Sequence, residues 1–164
     1  MAEDAAEAVK WFRKAAEQGY AKAQYNLGIS YYNGAGVTKD ATESVKWFHK
    51  AAEQGEAQAQ CNLGVSYATG EGVAKDDVEA FKWFSLACNQ NLEFAKKPLA
   101  KVAGRMTKAQ IAQAQRMARD FKPHTRHLNR VRPLRVDRLE PLSRARRVDL
   151  GLGGGAPNLE AKLP

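Results

Sequence analysis

The sequence is poor in the residues that enzymes most often use for catalysis or metal binding. It contains two cysteines and three histidines, and no Cys-x-x-Cys pair or zinc-ligand spacing is present. The serines have no recognisable His/Asp arrangement around them. The glycine run at residues 151–155 is flanked by neither a strong strand nor a helix, so it does not indicate a phosphate-binding loop. We therefore expect no enzyme activity, no cofactor and no metal.

Long apolar runs are also missing. No stretch approaches the roughly 20 apolar residues of a membrane-spanning helix. The start lacks the positively charged segment and apolar run of a signal peptide. We expect a cytoplasmic protein that does not bind a membrane.

What the sequence has instead is a unit of thirty-six residues that occurs twice in succession. Residues 20–55 and 56–91 align without a gap and agree at nineteen of the thirty-six positions. The shared positions include Leu27, Gly28 and Trp47 with their twins. A fixed period of this length is typical of solenoids of stacked helix pairs, which usually bind other macromolecules.

The first half of the unit predicts a helix with a narrow packed face. Ala23, Leu27 and Tyr31 are spaced four residues apart, which places them on one side of a helix. Gly28 and its twin Gly64 fall in the middle of that helix, where glycine costs about 1 kcal/mol relative to alanine. Because this cost recurs at one position, we expect a neighbouring helix to approach too closely for a side chain.

A glycine turn and a second helix complete the unit. The turn begins at Gly34, and its glycines can take positive φ where the chain reverses. Asp40-x-x-Glu43 and its twin have the spacing of a capping box. Gly55 and Asn91 are predicted to end the second helix in the left-handed conformation. The apolar stripe of this helix consists of Trp47, Phe48, Ala51 and Ala52 in one copy and Trp83, Phe84, Ala87 and Cys88 in the other.

This pattern resembles the Sel-one-like repeat, a relative of the tetratricopeptide repeat. The residues that carry the resemblance are Ala21, Ala23, Gln24, Leu27, Gly28, Tyr31, Gly34, Gly36, Val37, Asp40, Trp47, the run 50–52 and Gly55. The resemblance implies an all-α fold, namely an α/α solenoid of stacked antiparallel helix pairs. It also implies a protein-binding scaffold or adaptor without catalytic residues.

The chain begins with the second helix of a repeat. Residues 4–19 match residues 40–55 at thirteen of sixteen positions. We interpret this as a fragment of a longer array. The alternative is an open N-terminal helix through which an otherwise monomeric chain associates. The apolar positions of this helix keep the character of an internal repeat: Ala8, Trp11, Phe12, Ala15 and Ala16.

Two further helices are predicted to close the array. Residues 92–104 take the place of a third first helix, and Thr107-x-x-Gln110 is a capping box at the start of the closing helix. The apolar positions of the closing helix are Ile111, Ala114, Met117, Ala118 and Phe121, and its expected water-facing positions are Lys108, Gln113, Arg116 and Arg119. Residues 1–121 are thus expected to form about two and a half repeats plus a closing helix pair.

Residues 122–164 have a different composition. They contain five prolines and no aromatic residue, with ten Lys+Arg against four Asp+Glu, a net charge of +6. Residues 1–121 contain sixteen Lys+Arg and fourteen Asp+Glu, a net charge of +2. We predict a basic, disordered tail, although a read-through, a frame change or a fusion scar would give the same abrupt switch. The tail leaves an alternative function, the binding of anions or nucleic acid, but it has no aromatic residue on which bases would stack.

The histidines are not predicted to form a site. His49 stands where the other copies have Arg13 and Ser85, so we expect it to face solvent. A His124-x-x-His127 pair could contact a metal if it were helical, but without an acidic or cysteine partner it is better read as part of the tail.

The cysteines are interpreted as apolar substitutions. Cys61 and Cys88 replace Tyr25 and Ala52 of the other copy. Their spacing does not favour a disulfide or a metal site, so reduced thiols are expected, in agreement with a cytoplasmic location.

The positions at which the two copies differ are candidates for partner binding. In a tetratricopeptide-like superhelix the first helices line the concave side, and the resemblance places a groove there. The groove residues of the two copies are Lys22, Tyr25, Ile29, Tyr32 and Asn33, and Gln58, Cys61, Val65, Ala68 and Thr69, while the third first helix adds Phe94, Lys97, Lys101 and Arg105. We expect a protein or peptide partner on this face, with the basic end as an anchor for an acidic group or a C-terminal carboxylate. The alternative is that exposed positions drift freely and the lysines are merely solvated.

Overall fold

The computed structural model describes residues 2–124, and within that range every regular element is helical. The α-helices are α1 (Ala2–Glu17), α2 (Ala21–Asn33), α3 (Ala41–Glu53), α4 (Ala57–Thr69), α5 (Asp77–Asn89), α6 (Lys96–Ala103) and α7 (Lys108–Asp120), and a 3₁₀ turn at Glu93–Ala95 precedes α6. The predicted all-α fold is confirmed. The tail expected at residues 122–164 lies outside the described residues from position 125 onward.

The helices pack mainly on their neighbours along the chain. The α2–α3 and α4–α5 pairs form the two complete repeats, and α1 on α2 and α3 on α4 join successive repeats. The helix α5 also contacts α6 and α7, which close the array. Contact between sequence neighbours is what defines a solenoid, because each repeat buries its apolar face only against the next.

The mid-helix glycines lie against aromatic rings. A Cβ atom built on Gly28 would lie 2.6 Å from the ring of Phe48, and one on Gly64 would lie 2.8 Å from the ring of Phe84. These rings belong to the second helix of the same repeat. The expected close approach of a neighbouring helix is therefore confirmed in both copies, and glycine is the residue that permits it.

Only half of the capping box predicted at Asp40 forms. The Asp40 carboxylate accepts a hydrogen bond from the Glu43 N–H at 2.9 Å. The Glu43 carboxylate accepts from Lys46 instead, and the Asp40 N–H donates to the Tyr31 carbonyl at 3.0 Å. The backbone donor that Glu43 was predicted to satisfy is thus already used by the turn that joins α2 to α3.

The capping box of the closing helix is complete. The Thr107 hydroxyl accepts from the Gln110 N–H at 3.2 Å, and the Gln110 side chain accepts from the Thr107 N–H at 2.9 Å. Ala114 and Ala118 are buried. The four predicted water-facing residues of α7 are all exposed: Lys108, Gln113, Arg116 and Arg119.

Buried glutamines connect successive repeats. The Gln60 amide donates to the Ala52 carbonyl at the end of α3, at 3.2 Å, and its oxygen accepts from Gln90 at 2.9 Å. The same carbonyl also accepts from the Gly55 N–H at 3.0 Å, so the Gln60 amide uses its second lone pair. The same contacts join Gln24, Ala16 and Gln54 one repeat earlier, at 3.1 and 2.7 Å.

The helix α6, which stands in the position of a first helix after the second repeat, is shorter than the repeat pattern predicts. The sequence predicts this helix over residues 92–104, whereas the α-helix starts at Lys96 after a 3₁₀ turn. Pro98 explains the difference, because it has no N–H to donate to the Phe94 carbonyl and its ring would collide with that group. In α6 Pro98 instead occupies the first turn, where an N–H has no intrahelical acceptor.

The last described residues, 121–124, also contact the array. The Phe121 ring packs edge-on against Trp83, with centroids 5.5 Å apart. The His124 N–H donates to the Glu53 carbonyl at 2.8 Å. Pro123 lies close enough to Gly55 that an added Cβ there would contact it at 3.4 Å. Pro123 and His124 therefore belong to the packed array.

The tryptophans of the three second helices differ sharply in exposure. Trp83 is 1% exposed and Trp47 is 9% exposed, whereas Trp11 of α1 is 63% exposed. Trp47 packs on Val9 and Ala16 of α1, the second helix of the preceding repeat. Within the described residues no helix occupies the equivalent place over Trp11.

The histidine predicted to face solvent is half-buried. The His49 ring stands edge-on to Trp83 with centroids 5.6 Å apart. Its Nδ1 atom lies 3.2 Å from the Glu53 carboxylate. His49 thus contributes to packing between α3 and α5, which the variation among Arg13, His49 and Ser85 did not reveal.

Candidate partner-binding surface

The surface formed by α2, α4 and α6, here called the first-helix face, carries the residues predicted to bind a partner. Nine of the fourteen are exposed: Lys22, Tyr32, Asn33, Val65, Thr69, Phe94, Lys97, Lys101 and Arg105. Tyr25, Ile29, Gln58 and Ala68 are half-buried, and Cys61 is buried. Their role in binding remains a prediction.

Cys61 was expected in the groove but lies in the core. It is 4% exposed and packs in one cluster with Phe81 and Phe84 of α5. Burial raises the pKa of its thiol to about 11. Cys88, on the same cluster, is half-buried, and both cysteines are free thiols.

A cavity of about 220 Å³ opens on the first-helix face between α2 and α4. It brings together four of the predicted partner-binding residues with four residues that were not predicted to bind a partner. Its lining is Ile29, Tyr32, Asn33, Phe48, Asn62, Val65, Ser66 and Glu71. The apolar side chains of both helices and the Phe48 ring thus lie within a polar rim, an arrangement typical of ligand sites.

Glu71 and Tyr32 connect the rim of this cavity. The Tyr32 hydroxyl donates to the Glu71 carboxylate at a long distance of 3.3 Å. The negative charge of Glu71 raises the pKa of Tyr32. Sequence comparison of the two copies could have found Glu71, because the equivalent residue of the first copy is Ala35. Asn62 and Ser66 are identical to their twins, so the same comparison gives no signal for them.

The N-terminal part of the face is internally paired. The Lys22 ammonium donates to the Gln58 side chain at 2.6 Å and lies 3.6 Å from the Glu56 carboxylate. It also sits 4.8 Å from the centre of the Tyr25 ring. The Tyr25 ring packs on Phe48 with centroids 6.0 Å apart. Three predicted residues therefore form one connected group.

The basic end of the face contains one paired and two unpaired charges. Arg105 makes a bidentate contact with the Asp77 carboxylate at 2.8 and 2.6 Å and also donates to the Ala68 carbonyl at 3.0 Å. It therefore attaches the end of α6 to α4 and α5, and its charge is compensated. Lys97 and Lys101 are exposed. Neither makes an ion pair with another residue in the described range, so they carry the free positive charge there.

A larger cavity of about 750 Å³ lies away from this face, at the C-terminal ends of α1 and α3. It contains none of the predicted residues and is lined by Ala16, Glu17, Gly19, Gln24, Trp47, Lys50, Glu53, Gln54 and His124.

Among residues 2–124 no group of three or more His, Cys, Asp or Glu side chains is placed to hold a metal ion. None of the helices in this range combines the length and apolar character needed to cross a bilayer.

The stacked helix pairs, the recurring glycine–phenylalanine contacts and the glutamine bridges define an α/α solenoid repeat protein. The family model of the Sel1 repeat matches three successive segments, residues 1–20, 21–56 and 57–92. The chain belongs to the Sel1 repeat family. The matched segments stop just before the Pro98 helix, which is where the repeat pattern degenerates.

Two solved structures show the same architecture. The protective antigen c5321 of uropathogenic Escherichia coli, which has an SLR fold, is 38% identical with a TM-score of 0.68. A Sel1 repeat protein from Oxalobacter formigenes is 36% identical with a TM-score of 0.59. The similar regions cover 71% and 67% of this chain but only 25% and 47% of those proteins. No curated protein sequence matches significantly.

Proposed function

We propose that this chain is a non-enzymatic scaffold or adaptor that binds a protein or peptide partner on its first-helix face, the concave face of the expected superhelix. Sel1 repeats belong to the helical repeats that mediate contacts between proteins. The observation that carries the proposal is the cavity between α2 and α4, because its exposed lining residues are those that differ between the copies.

The distribution of shared and differing residues supports this surface. Leu27 and Gly28, which are buried and shared by both copies, maintain the packing of the helix pair. Ile29 and Tyr32 lie on the cavity and are replaced in the next copy. A surface that varies on a constant scaffold gives each repeat its own contacts, which is how extended repeat surfaces recognise partners.

The free thiols support a reducing compartment. Cys61 and Cys88 belong to one core cluster and are not joined, and unpaired cysteines are typical of proteins kept under reducing conditions. We propose a cytoplasmic location on this basis.

The test compares partner capture by the full chain with capture by a chain that ends at His124. A partner identified by mass spectrometry is then purified and titrated against both forms. We expect both to bind it with similar affinity at 150 mM salt. If binding requires residues 125–164 and falls steeply with salt, the partner is held electrostatically by the arginine-rich segment and the proposal is wrong.

A further inference from the structure

We propose that the cavity between α2 and α4 recognises a peptide segment in which one large aliphatic side chain is followed closely by a lysine or arginine. The aliphatic side chain enters the cavity and the cation pairs with Glu71. This inference rests on the proposed function, because it names the kind of partner that the first-helix face selects.

The size of the cavity favours a single side chain. Its volume of about 220 Å³ is below the roughly 300–1,000 Å³ of sites that enclose a drug-sized molecule. Ile29 of α2, Val65 of α4 and the Phe48 ring provide the apolar lining. Val65 is 39% exposed, so an occupant would remove apolar surface from water.

The charge of the rim favours a cation beside that side chain. Glu71 is half-buried, and within the described range its side chain hydrogen-bonds only to the Tyr32 hydroxyl, at 3.3 Å. None of the ion pairs between described residues includes Glu71. A partly desolvated carboxylate without a cation gains from a guanidinium or ammonium group that approaches it.

Comparison of the two copies shows that folding of the repeat does not require this carboxylate. The first copy has Ala35 at the equivalent position and forms the same turn, with positive φ at Gly34 as at Gly70. Asn33 is also exposed on the rim, and its amide can both donate to and accept from a peptide backbone. An acidic segment would instead be repelled by Glu71.

The test uses the full chain and six fluorescent, acetylated and amidated peptides in a Gly-Ser background, which carry three residue pairs at two spacings. Their central residues are Leu-Arg, Ala-Arg and Leu-Glu, and each pair is made with no spacer and with one residue between. Fluorescence polarisation at low salt gives the affinities. We expect a Leu-Arg peptide to bind about tenfold more tightly than either relative.

Variants of the cavity separate the two parts of the recognition. Glu71→Lys is expected to reverse the preference between Leu-Arg and Leu-Glu while keeping the preference for leucine over alanine. Val65→Glu is expected to remove the preference for leucine. Glu43→Lys, which makes the same charge change outside the cavity, is the matched control and should alter neither preference.

The inference and the proposed function can fail separately. Peptides that do not bind, or whose order of affinity is unchanged by Glu71→Lys, would overturn the inference. The scaffold proposal would still stand if a captured protein partner bound the chain ending at His124. If that partner instead needs residues 125–164 and the peptides show no preference, both fail.

Discussion

Gly64 of α4 lies directly beneath the ring of Phe84 of α5, and a Cβ atom on the glycine would come within 2.8 Å of two ring carbons. Gly28 and Phe48 repeat this relationship in the previous unit. The missing side chain therefore sets the distance between the two helices of a repeat. The local cost of a mid-helix glycine is offset by burial of a phenylalanine in each unit.

Substitution of Gly64 tests this relationship. We expect Gly64→Ala to lower the free energy of unfolding by about 1–3 kcal/mol and Gly64→Leu to lower it further, because overpacking forces the Phe84 ring aside. Gly104→Ala is the matched control: its added Cβ would have no neighbour closer than 3.6 Å, so it should be neutral or stabilise by up to about 1 kcal/mol. Chemical denaturation measures both, and an unchanged midpoint for Gly64→Leu would refute the packing described.

The buried glutamine of each repeat gives a second prediction. Gln60 is 1% exposed and hydrogen-bonds the Ala52 carbonyl and the Gln90 amide. Gln60→Leu is expected to destabilise the array by about 1–3 kcal/mol, because the two hydrogen bonds of a buried amide side chain are lost. Gln113→Leu on the exposed face of α7 should change stability by less than about 0.5 kcal/mol. Equal effects of the two substitutions in urea denaturation would show that the hydrogen bonds of Gln60 do not stabilise the contact between successive repeats.

The repeat made most of the fold predictable. Because Leu27, Gly28 and Trp47 recur with their neighbours at a fixed period, the helices, the turns and the mid-helix packing could all be derived from two aligned copies. The repeat also indicated which face would vary. Prediction was less accurate where the pattern breaks, since Pro98 shortens α6 and the packed chain continues to His124.

The details of the surface depended on contacts that sequence spacing does not show. Arg105 was expected to contribute free charge, but it pairs with Asp77 across two helices. Cys61 was placed in the groove by register, but its side chain packs against α5. Glu71 was missed because it lies in a turn, outside the helical positions that were compared.

The last described residues carry a third prediction. A chain that ends at His124 is expected to melt at the same temperature as the full chain and to keep its helical circular-dichroism signal per molecule. A chain that ends at Lys122 loses the bond from the His124 N–H to Glu53 and the Pro123 contact with Gly55, which is expected to cost about 0.5–1.5 kcal/mol. A markedly lower melting temperature for the His124 form would show that residues 125–164 stabilise the array.

The two thiols are expected to react at different rates. Burial raises the Cys61 pKa to about 11, and Cys88, whose pKa burial also raises, is more exposed. Because the thiolate is the reactive form, iodoacetamide at pH 8 should label Cys88 first in the native protein. Mass spectrometry of the labelled peptides measures the order. Denatured protein is the control, in which both should react alike; faster native labelling of Cys61 would contradict its placement in the core.

The Cys61 thiol also predicts how stability changes with pH. Burial raises the pKa of the thiol in the folded state to about 11, whereas its ordinary value is 9.0. The stabilising contribution is therefore present below pH 9 and is lost as the pH rises through 11. Cys61→Val should reduce the slope of unfolding free energy against pH in this window. An unchanged slope would show that the thiol titrates normally.

The most direct test of the central claim is the affinity of a purified partner for the Tyr32→Ala variant, measured by isothermal titration calorimetry. Tyr32 is 37% exposed on the cavity rim, so its truncation should weaken binding by about 1 kcal/mol or more while changing stability little. Trp11→Ala is the matched control, because Trp11 is a more exposed aromatic residue on α1. Weaker binding by Tyr32→Ala alone is the predicted result. Unchanged affinity in Tyr32→Ala, with loss of binding when residues 125–164 are removed, would contradict the account.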